Sequence, residues 1–247
     1  GSGIGRALAI RFAQKGARAV ICTDLNGDNA AETAEMIGKA GTSAVLDVGD
    51  EAAIEALVAE TEVSIGGIDI FVSNAGYGQS GGLSLATEEW QRQMNVHTWS
   101  HLAAARAVIP GMIERGGGYL LNTASAAGLL TQINSGAYAV SKHAAIALAE
   151  WLSINYGDKG IGVSVLCPQA VRTNILGPIA KRPSSTQASK DGILEPEDVA
   201  NTCIEAMEEG RFLVLPHPEV LTYFQRKAND YDRWLGGMRR FKDKLKG

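Results

Sequence analysis

The sequence predicts an α/β fold in which helices cover both faces of a doubly wound parallel sheet, giving three layers. Three observations predict it. Short apolar runs alternate along the chain with segments of helical pattern. The runs are continuously apolar rather than alternating with polar residues, which is typical of parallel strands buried on both faces. Glycine is frequent, with 29 residues, and proline is rare, with 7, which suits many tight turns between strands and helices.

The predicted elements follow one another in strand–helix order. The apolar runs that predict strands are 18–23, 43–48, 68–73, 119–123, 162–167 and 211–215. The segments whose apolar spacing predicts helices are 4–15, 27–40, 51–64, 87–114, 136–157 and 197–208. Strands joined through helices form right-handed crossovers, and a succession of such crossovers builds a doubly wound sheet.

One domain accounts for the whole chain, 1–247, because no repeat or low-complexity linker divides it. Segment 174–196 is the longest irregular stretch, and long irregular loops often cover a site, so we expect a substrate-covering loop there. Residues 217–247 are expected to form a helical C-terminal extension whose aromatic side chains pack on the protein's own core or on a partner subunit. Residues 1–5 form a glycine-rich turn without a strand before it. The first strand is therefore expected to be missing from the recorded chain, in roughly ten further residues upstream.

Composition excludes several classes of protein. Hydrophobic residues make up 45% and charged residues 20%, which is the balance of a globular protein with a sizeable core. A formal net charge of -4 argues against a nucleic-acid-binding surface. No apolar stretch approaches the roughly 20 residues of a membrane span, and no signal peptide opens the chain. The cysteines are far apart in apolar runs and predict buried thiols in a reducing compartment, so a cytoplasmic location is expected: Cys22, Cys167 and Cys203.

No metal site is expected from the histidines. They lack Cys, Asp or Glu partners at metal-ligand spacing and are interpreted as ordinary helix or loop residues: His97, His101, His143 and His217. The basic run at 239–246 is typical of a solvated helix end, with weak membrane or partner contact as the alternative.

The glycine turn predicts a dinucleotide site. Gly1, Gly3 and Gly5 are spaced G-x-G-x-G where the first helix begins. Glycines there let the backbone approach a pyrophosphate, and the helix N-terminus offers free N–H groups and a positive dipole end. Asp24 ends the next strand about 20 residues later, where a carboxylate binds the adenosine ribose hydroxyls and repels a 2′-phosphate. The pattern favours NAD over NADP, and the alternative for Asp24 is a plain turn or N-cap residue.

Tyr138 and Lys142 are four residues apart inside a helical pattern, which places them on one face of a helix. A free tyrosine has a pKa near 10 and is a poor base at neutral pH. An ammonium about 5 Å from the phenolate contributes roughly 3 kcal/mol at an effective dielectric near 20, or about two pKa units. The pair therefore predicts a proton donor and acceptor that works near physiological pH.

These features together resemble the short-chain dehydrogenase/reductase family, in its compact single-domain form with a Rossmann-like sheet. The resemblance extends over residues 1–215. It is carried, in chain order, by Gly1, Gly3 and Gly5, by Asp24, by Asp47-Val48, by Asn74-Ala75-Gly76, by Asn95-Val96, by Ser125, by Tyr138 with Lys142, and by Pro168 to Thr173.

The resemblance implies a catalytic tetrad. Tyr138 is the expected general acid and base, and Ser125 is expected to hydrogen-bond the substrate oxygen. Lys142 is expected to lower the pKa of Tyr138 and to bind the nicotinamide ribose, while Asn95 anchors a water that connects Lys142 to solvent. The hydride passes between the nicotinamide and the carbinol carbon.

The resemblance also implies a wider set of cofactor contacts. Thr173 is expected to contact either the nicotinamide carboxamide or the phosphates. The full expected set is Gly1, Ser2, Gly3, Ile4, Gly5, Asp24, Leu25, Asp47, Val48, Asn74, Ala75, Gly76, Tyr138, Lys142, Pro168, Val171 and Thr173.

The expected activity is the interconversion of a secondary alcohol and a ketone with NAD. The pocket is expected to be largely apolar and to include Ser125, Ala127, Ile133, Gln169, Ile175 and Leu176. Gln169 departs from the glycine usual in the family, so it either narrows the pocket or bonds a polar group of the substrate. The alternatives are an NADPH-dependent carbonyl reductase and a non-catalytic cofactor-sensing protein. Helices 87–114 and 136–157 are expected to form a homodimer or homotetramer.

Overall fold

The computed structural model describes residues 1–176 and 187–245. The expected covering loop, 174–196, therefore lies partly outside the described residues. The strands are β1 (Val20–Asp24), β2 (Gly41–Val45), β3 (Ile70–Ser73), β4 (Gly118–Thr123), β5 (Ile161–Leu166) and β6 (Leu213–Val214). The helices are α1 (Gly3–Gln14), α2 (Gly27–Ile37), α3 (Glu51–Ser64), α4 (Thr87–Met94), α5 (Ser100–Glu114), α6 (Ala127–Leu130), α7 (Gly136–Tyr156), α8 (Pro196–Glu208), α9 (Glu219–Asn229) and α10 (Tyr231–Lys244).

All pairings between these strands are parallel. Within the described residues they form a two-stranded sheet, β1-β2, and a four-stranded sheet, β3-β4-β5-β6. The register pairs Val20 with Gly41, Ile70 with Tyr119, Gly118 with Ile161, and Val165 with Leu213. The expectation of a further strand upstream of residue 1 stays a prediction.

Two apolar clusters cover the two faces of the larger sheet. Consecutive residues of β4 belong to different clusters, because side chains alternate along a strand: Leu120 packs with α3, α5 and α7, whereas Leu121 packs with α1 and α8. The same division separates Val165 from Leu166 on β5. The predicted three-layer α/β fold with parallel strands is therefore confirmed.

The predicted helix 87–114 is interrupted in its middle. A five-residue π-helical turn, Asn95–Trp99, separates α4 from α5. The turn carries an extra residue relative to a regular α-helix, and such turns are frequent at functional sites. The prediction of one continuous helix was wrong here because the apolar spacing does not reveal a single inserted residue.

The C-terminal extension consists of α9 and α10 and packs against the protein's own core. Val220 is fully buried in the larger cluster, and Tyr223, Phe224 and Trp234 pack against it. Lys227 is also buried and donates a hydrogen bond of 2.6 Å to the carbonyl oxygen of Leu129 at the end of α6. Among the described helices, none is both long and apolar enough to cross a membrane.

Candidate active site

Polar side chains collect at the carboxyl ends of the parallel strands. Asp24 is the last residue of β1, Asn74 follows β3, Ser125 lies two residues after β4, and Pro168 lies two residues after β5. The side chain of Thr123, at the end of β4, donates a hydrogen bond of 3.1 Å to Asn74 Oδ1. Ligands of doubly wound sheets bind at this edge.

The glycine turn lies between the two sheets at this edge. The nitrogen of Gly1 lies 3.0 Å from the carbonyl oxygen of Thr23 on β1, while a Cβ on Gly5 would lie 2.9 Å from Asn74 Nδ2 after β3. Gly3 has a φ of 52°, and a Cβ there would lie 2.8 Å from Thr173 Cγ2. A larger residue in place of Gly3 would therefore disturb the turn and displace the Thr173 side chain that contacts it.

The N-terminus of α1 is open to an anion. Ser2 is the N-cap residue, but its side chain makes no capping hydrogen bond, and the first turn, of sequence GIGR, carries no acidic side chain. The first N–H groups of a helix lack intrahelical partners and stand at the positive end of its dipole. This end of α1 therefore has the features that could hold a phosphate.

Asp24 lies beside the glycine turn. Its Oδ1 accepts a hydrogen bond of 2.9 Å from the backbone N–H of Asn26, and its Oδ2 lies 3.3 Å from the Gly1 amino group. Asp24 therefore has the turn-forming role that was the alternative interpretation. Its carboxylate also faces the glycine turn. The nearby guanidinium of Arg6 is bound to the Gly1 carbonyl, Thr33 and Glu32, so it is not a free cation for a 2′-phosphate.

The structure brings three of the four expected catalytic residues together. Tyr138 and Lys142 lie one turn apart on α7, with Lys142 Nζ 5.8 Å from the centre of the Tyr138 ring. The Ser125 side chain lies close enough to the Tyr138 hydroxyl to influence the pKa of that tyrosine, and its Oγ donates a hydrogen bond of 3.4 Å to the Pro168 carbonyl oxygen. The Ser125 Oγ also accepts a hydrogen bond of 3.1 Å from the N–H of Ala127, which fixes the serine at the start of α6.

Burial shifts the pKa values of Tyr138 and Lys142. It raises the pKa of Tyr138 above its ordinary value, although the nearby Ser125 side chain acts in the opposite direction. Burial also lowers the pKa of Lys142 to about 8. Lys142 is not among the causes of the Tyr138 shift, so the expectation that it lowers the pKa of Tyr138 stays a prediction.

The fourth expected residue, Asn95, hydrogen-bonds a side chain one turn before it. Its side-chain oxygen accepts a hydrogen bond of 2.8 Å from Gln91 Nε2. It lines a cavity of about 250 Å³ together with Val48, Gly49 and Trp99. No hydrogen bond among the described residues joins the Asn95 side chain to Lys142, so its role in holding a water stays a prediction.

Two buried histidines, which the sequence analysis took for ordinary helix residues, lie close to this site. His97 Nε2 accepts a hydrogen bond of 3.2 Å from the Tyr77 N–H, so the proton is on Nδ1, which donates to Ser141 Oγ at 2.9 Å. Ser141 in turn donates to the carbonyl oxygen of Tyr138 at 3.0 Å. This chain of hydrogen bonds holds the first turn of α7, and with it Tyr138, against the π-helical turn.

His101 is the second buried histidine. Neither of its ring nitrogens has a hydrogen-bond partner among the described residues. Burial, with the charge of Lys142, lowers the pKa of His101 to about 3 and that of His97 to about 2. Both rings are therefore neutral at physiological pH. In the sequence, only the four-residue spacing of His97 and His101 within one predicted helix indicates that the two rings lie on the same side.

Gln169 contacts the protein itself. Its side-chain Nε2 donates a hydrogen bond of 2.9 Å to Asp191 Oδ2, and its backbone N–H donates to His217 Nδ1 at 3.2 Å. The other oxygen of Asp191 accepts a hydrogen bond of 3.0 Å from the Tyr223 hydroxyl on α9. Gln169 therefore ties the segment after β5 to the C-terminal extension.

The remaining expected pocket residues vary in exposure. Ala127 is buried in α6, Leu176 is buried, and Ile175 is half-exposed beside Gly78. Ile133 faces a groove against α10.

The remaining expected cofactor positions divide into two groups. Pro168 and Gly76 lie next to the catalytic residues: the Pro168 carbonyl accepts from Ser125 Oγ at 3.4 Å, and a Cβ on Gly76 would lie 3.7 Å from Lys142 Nζ. Val171 is buried in the apolar cluster that includes α1 and α8. The others lie along the ends of β1, β2 and β3. Ile4 packs on the core, whereas Leu25 and Ala75 are exposed. Asp47 accepts a hydrogen bond from the Gly49 N–H within its own turn, and Val48 lines the cavity beside Asn95.

These residues fit a nicotinamide dinucleotide. The open helix end suits a pyrophosphate, and the carboxylate of Asp24 suits a ribose diol. Lys142 Nζ donates to one protein acceptor, the Thr123 carbonyl oxygen at 2.9 Å, and an ammonium has three N–H donors. In the described residues, no group of three metal-ligating side chains is placed to hold a metal ion.

Comparisons with known proteins identify the family of the chain. The family described as short chain dehydrogenase matches residues 1–184. The chain is 32% identical over 242 residues to 1-deoxy-11-beta-hydroxypentalenate dehydrogenase of Streptomyces avermitilis, covering 95% of this chain and 88% of that protein.

Two solved structures are similar in fold. One is a short-chain dehydrogenase/reductase from Burkholderia phymatum in complex with NAD, with 29% identity, a TM-score of 0.84, and coverage of 94% of this chain and 91% of that chain. The other is L-sorbose reductase from Gluconobacter frateurii complexed with NADPH and L-sorbose, with 25% identity, a TM-score of 0.78, and coverage of 87% and 92%. The chain therefore belongs to the short-chain dehydrogenase family, whose members are oxidoreductases that bind a nicotinamide cofactor.

Proposed function

We propose that the protein is an NAD(H)-dependent oxidoreductase that interconverts a secondary alcohol and a ketone. The observation that carries the proposal is that Ser125 lies close to Tyr138 and that Lys142 lies one turn away, bound to the end of β4 at the carboxyl edge of the sheet. Hydroxyl groups from a serine and a tyrosine that meet at one point can hold a single carbonyl or carbinol oxygen between them.

Each of these residues has a distinct task. Tyr138 exchanges a proton with the substrate oxygen through its hydroxyl. Ser125 donates a hydrogen bond to that oxygen, and its own position is fixed by the Ala127 N–H. Lys142 is held by the Thr123 carbonyl and offers its remaining N–H groups to the ribose of the cofactor. Asn95 anchors a water on the path to solvent, and the bound nicotinamide supplies or accepts the hydride.

The protonation state of Tyr138 favours proton donation. Because burial raises its pKa, the hydroxyl is protonated at neutral pH and is ready to protonate a ketone oxygen. Oxidation of an alcohol needs the phenolate. We therefore expect alcohol oxidation to accelerate as the pH is raised above neutral, while ketone reduction does not.

NAD is proposed as the cofactor on the basis of Asp24. Its carboxylate faces the glycine turn, and the nearest guanidinium, that of Arg6, is already paired with Glu32. Arg6 therefore leaves no free charge to offset the repulsion between a 2′-phosphate and the Asp24 carboxylate. The NAD complex of the Burkholderia phymatum structure is consistent with this choice, whereas the sorbose reductase holds NADPH, so the assignment rests on this chain's own residues.

The remaining parts of the proposal concern assembly and compartment. A homodimer or homotetramer through helices 87–114 and 136–157 is supported by large apolar side chains exposed on those segments, namely Trp99, Val140, Trp151 and Ile154. A single domain over 1–247 and a reducing, cytoplasmic compartment complete the proposal. The three buried free thiols support that compartment.

The test is a panel of secondary alcohols, namely 2-alkanols, cyclohexanol and 1-phenylethanol, followed by absorbance of the reduced cofactor with NAD and, in parallel, with NADP. Turnover with NAD supports the proposal. Turnover with NADP alone would favour the NADPH-dependent carbonyl reductase. Tight binding of NADH without turnover of any alcohol or matching ketone would favour the cofactor-sensing protein.

A further inference from the structure

A groove outside the catalytic centre lies between the segment that precedes α7 and the C-terminal helix α10. It has a volume of about 300 Å³ and is lined by Ile133, Asn134, Leu235, Met238, Arg239 and Lys242. Ile133 and Asn134 come five and four residues before Tyr138 in the chain, so the groove adjoins the element that carries the tyrosine. Its walls combine three apolar side chains with two cationic ones.

The inner wall of the groove is a strained and clamped segment. Thr131 has a φ of 71° and Asn134 a φ of 61°, in a backbone region that side chains other than glycine rarely adopt. The amide of Gln187 holds the segment through two hydrogen bonds, donating to the Thr131 carbonyl at 2.8 Å and accepting from the Ile133 N–H at 2.9 Å. Such strain persists only where surrounding contacts enforce it, and it is concentrated at ligand-binding sites.

The outer wall is positively charged. Helix α10 carries five basic residues against two acidic ones, in a chain whose formal net charge is -4. Arg239 and Lys242 form no ion pair with a carboxylate anywhere in 1–176 or 187–245. Within the described part of the chain, the Arg239 guanidinium donates only to the Leu235 carbonyl oxygen on its own helix, at 3.3 Å. Two unpaired cations at the rim of an apolar groove suit an apolar molecule that ends in an anion.

We propose that this groove binds the far end of the substrate, and that the substrate is an apolar alcohol or ketone carrying a carboxylate. The inference rests on the proposed function and specifies its substrate class. The apolar body packs on Ile133, Leu235 and Met238, and the carboxylate is held by Arg239 and Lys242. The reacting carbon then lies toward Tyr138, at the other side of the segment 131–134.

Basic residues near the end of a helix also stabilise its dipole, so the test must separate this role from ligand binding. Helix α10 offers a matched pair for that purpose. Arg240 and Lys244 lie in the same last turns and carry the same charges, but they do not line the groove. The double variant Arg239→Gln/Lys242→Gln and the control Arg240→Gln/Lys244→Gln change the net charge equally.

The first measurement is calorimetric titration of decanoate, and separately of 1-decanol, into the full-length protein saturated with NAD. We expect decanoate to bind the unmodified protein and the control variant equally, within twofold. Loss of two partly solvated ion pairs should weaken decanoate binding about tenfold in the Arg239→Gln/Lys242→Gln variant, while 1-decanol binds both variants equally. Absence of decanoate binding, or equal weakening in both variants, would overturn the proposal.

The second measurement separates this inference from the proposed function. With 9-hydroxydecanoate as substrate, KM should rise about tenfold in the groove variant and kcat should stay unchanged, whereas KM for 2-decanol should stay unchanged. Equal KM values for 9-hydroxydecanoate in both variants would overturn the groove assignment. Tyr138→Phe should retain decanoate binding. If the unmodified protein binds decanoate but turns over neither 9-hydroxydecanoate nor any other alcohol, that result counts against the proposed function alone.

Discussion

The side-chain ammonium of Lys142 donates a hydrogen bond of 2.9 Å to the main-chain carbonyl oxygen of Thr123, the last residue of β4. The sheet itself therefore fixes the position of the ammonium, because a strand carbonyl cannot move without disturbing its neighbours. The same ammonium lies 5.8 Å from the Tyr138 ring centre. The relation between helix α7 and strand β4 thus determines the geometry of the proposed proton-transfer site.

The first prediction concerns the choice of cofactor. Asp24→Asn removes the negative charge but retains an oxygen that can accept from the Asn26 N–H, so the turn should persist. We expect the ratio of the NADPH to the NADH dissociation constants to fall about tenfold, since about 1.4 kcal/mol corresponds to a tenfold change. Titration of both cofactors, followed by protein fluorescence, measures this ratio.

The control for Asp24 is Asp28→Asn, which removes the same charge from the first turn of α2. It should leave the ratio of dissociation constants unchanged. If both variants shift the ratio equally, or if Asp24→Asn does not shift it, Asp24 does not decide the cofactor.

The second prediction concerns acid stability. The pKa of His101 is about 3 in the folded protein, against an ordinary value of 6.5. Between these values the unfolded chain binds a proton that the folded protein does not, so the free energy of unfolding falls with decreasing pH. One such group contributes about 1.4 kcal/mol per pH unit in this window.

Substitution of His101→Leu should therefore flatten the pH dependence of the unfolding free energy by about 1.4 kcal/mol per pH unit between pH 6 and pH 4. At pH 7 the variant should be at least as stable as the parent, because neither ring nitrogen has a partner among the described residues. Urea unfolding at several pH values measures both quantities. An unchanged slope would show that His101 is protonated in the folded state.

The third prediction concerns the attachment of the C-terminal extension. Lys227 is buried on α9 and donates to the Leu129 carbonyl at the end of α6. Lys227→Met leaves that carbonyl without its partner and should lower the free energy of unfolding by about 1–3 kcal/mol. The neighbouring Arg226→Met, at an exposed position, should change it by less than about 0.5 kcal/mol. If both variants lower the free energy of unfolding equally, the Lys227 hydrogen bond does not attach the C-terminal extension.

The sequence predicted the elements more completely than the contacts between them. Strands such as β4 and β5 are apolar runs whose period is visible locally, and the four-residue spacing of Tyr138 and Lys142 places both on one face of any helix. The glycine turn and Asp24 were found in the same way. The confirmed fold and family therefore rest on patterns that span only a few residues each.

The features that escaped prediction depend on residues far apart in the chain. Lys227 and Leu129 are 98 residues apart, and Gln169 and Asp191 are 22 apart, so no local pattern indicates either hydrogen bond. The raised pKa of Tyr138 likewise comes from burial, which only the packed structure reveals. The burial of His97 and His101 depends on the π-helical turn, where one inserted residue changes which side chains face α7.

The central claim is that the Tyr138 hydroxyl transfers the proton between enzyme and substrate. The direct test is Tyr138→Phe, assayed for alcohol oxidation with NAD and for NADH binding by fluorescence, with Tyr119→Phe as control because that hydroxyl bonds Ser164 inside the sheet. We predict a loss of kcat of about 100- to 10,000-fold in Tyr138→Phe with NADH affinity retained, and near-parental turnover in Tyr119→Phe. Parental turnover in Tyr138→Phe would contradict the account.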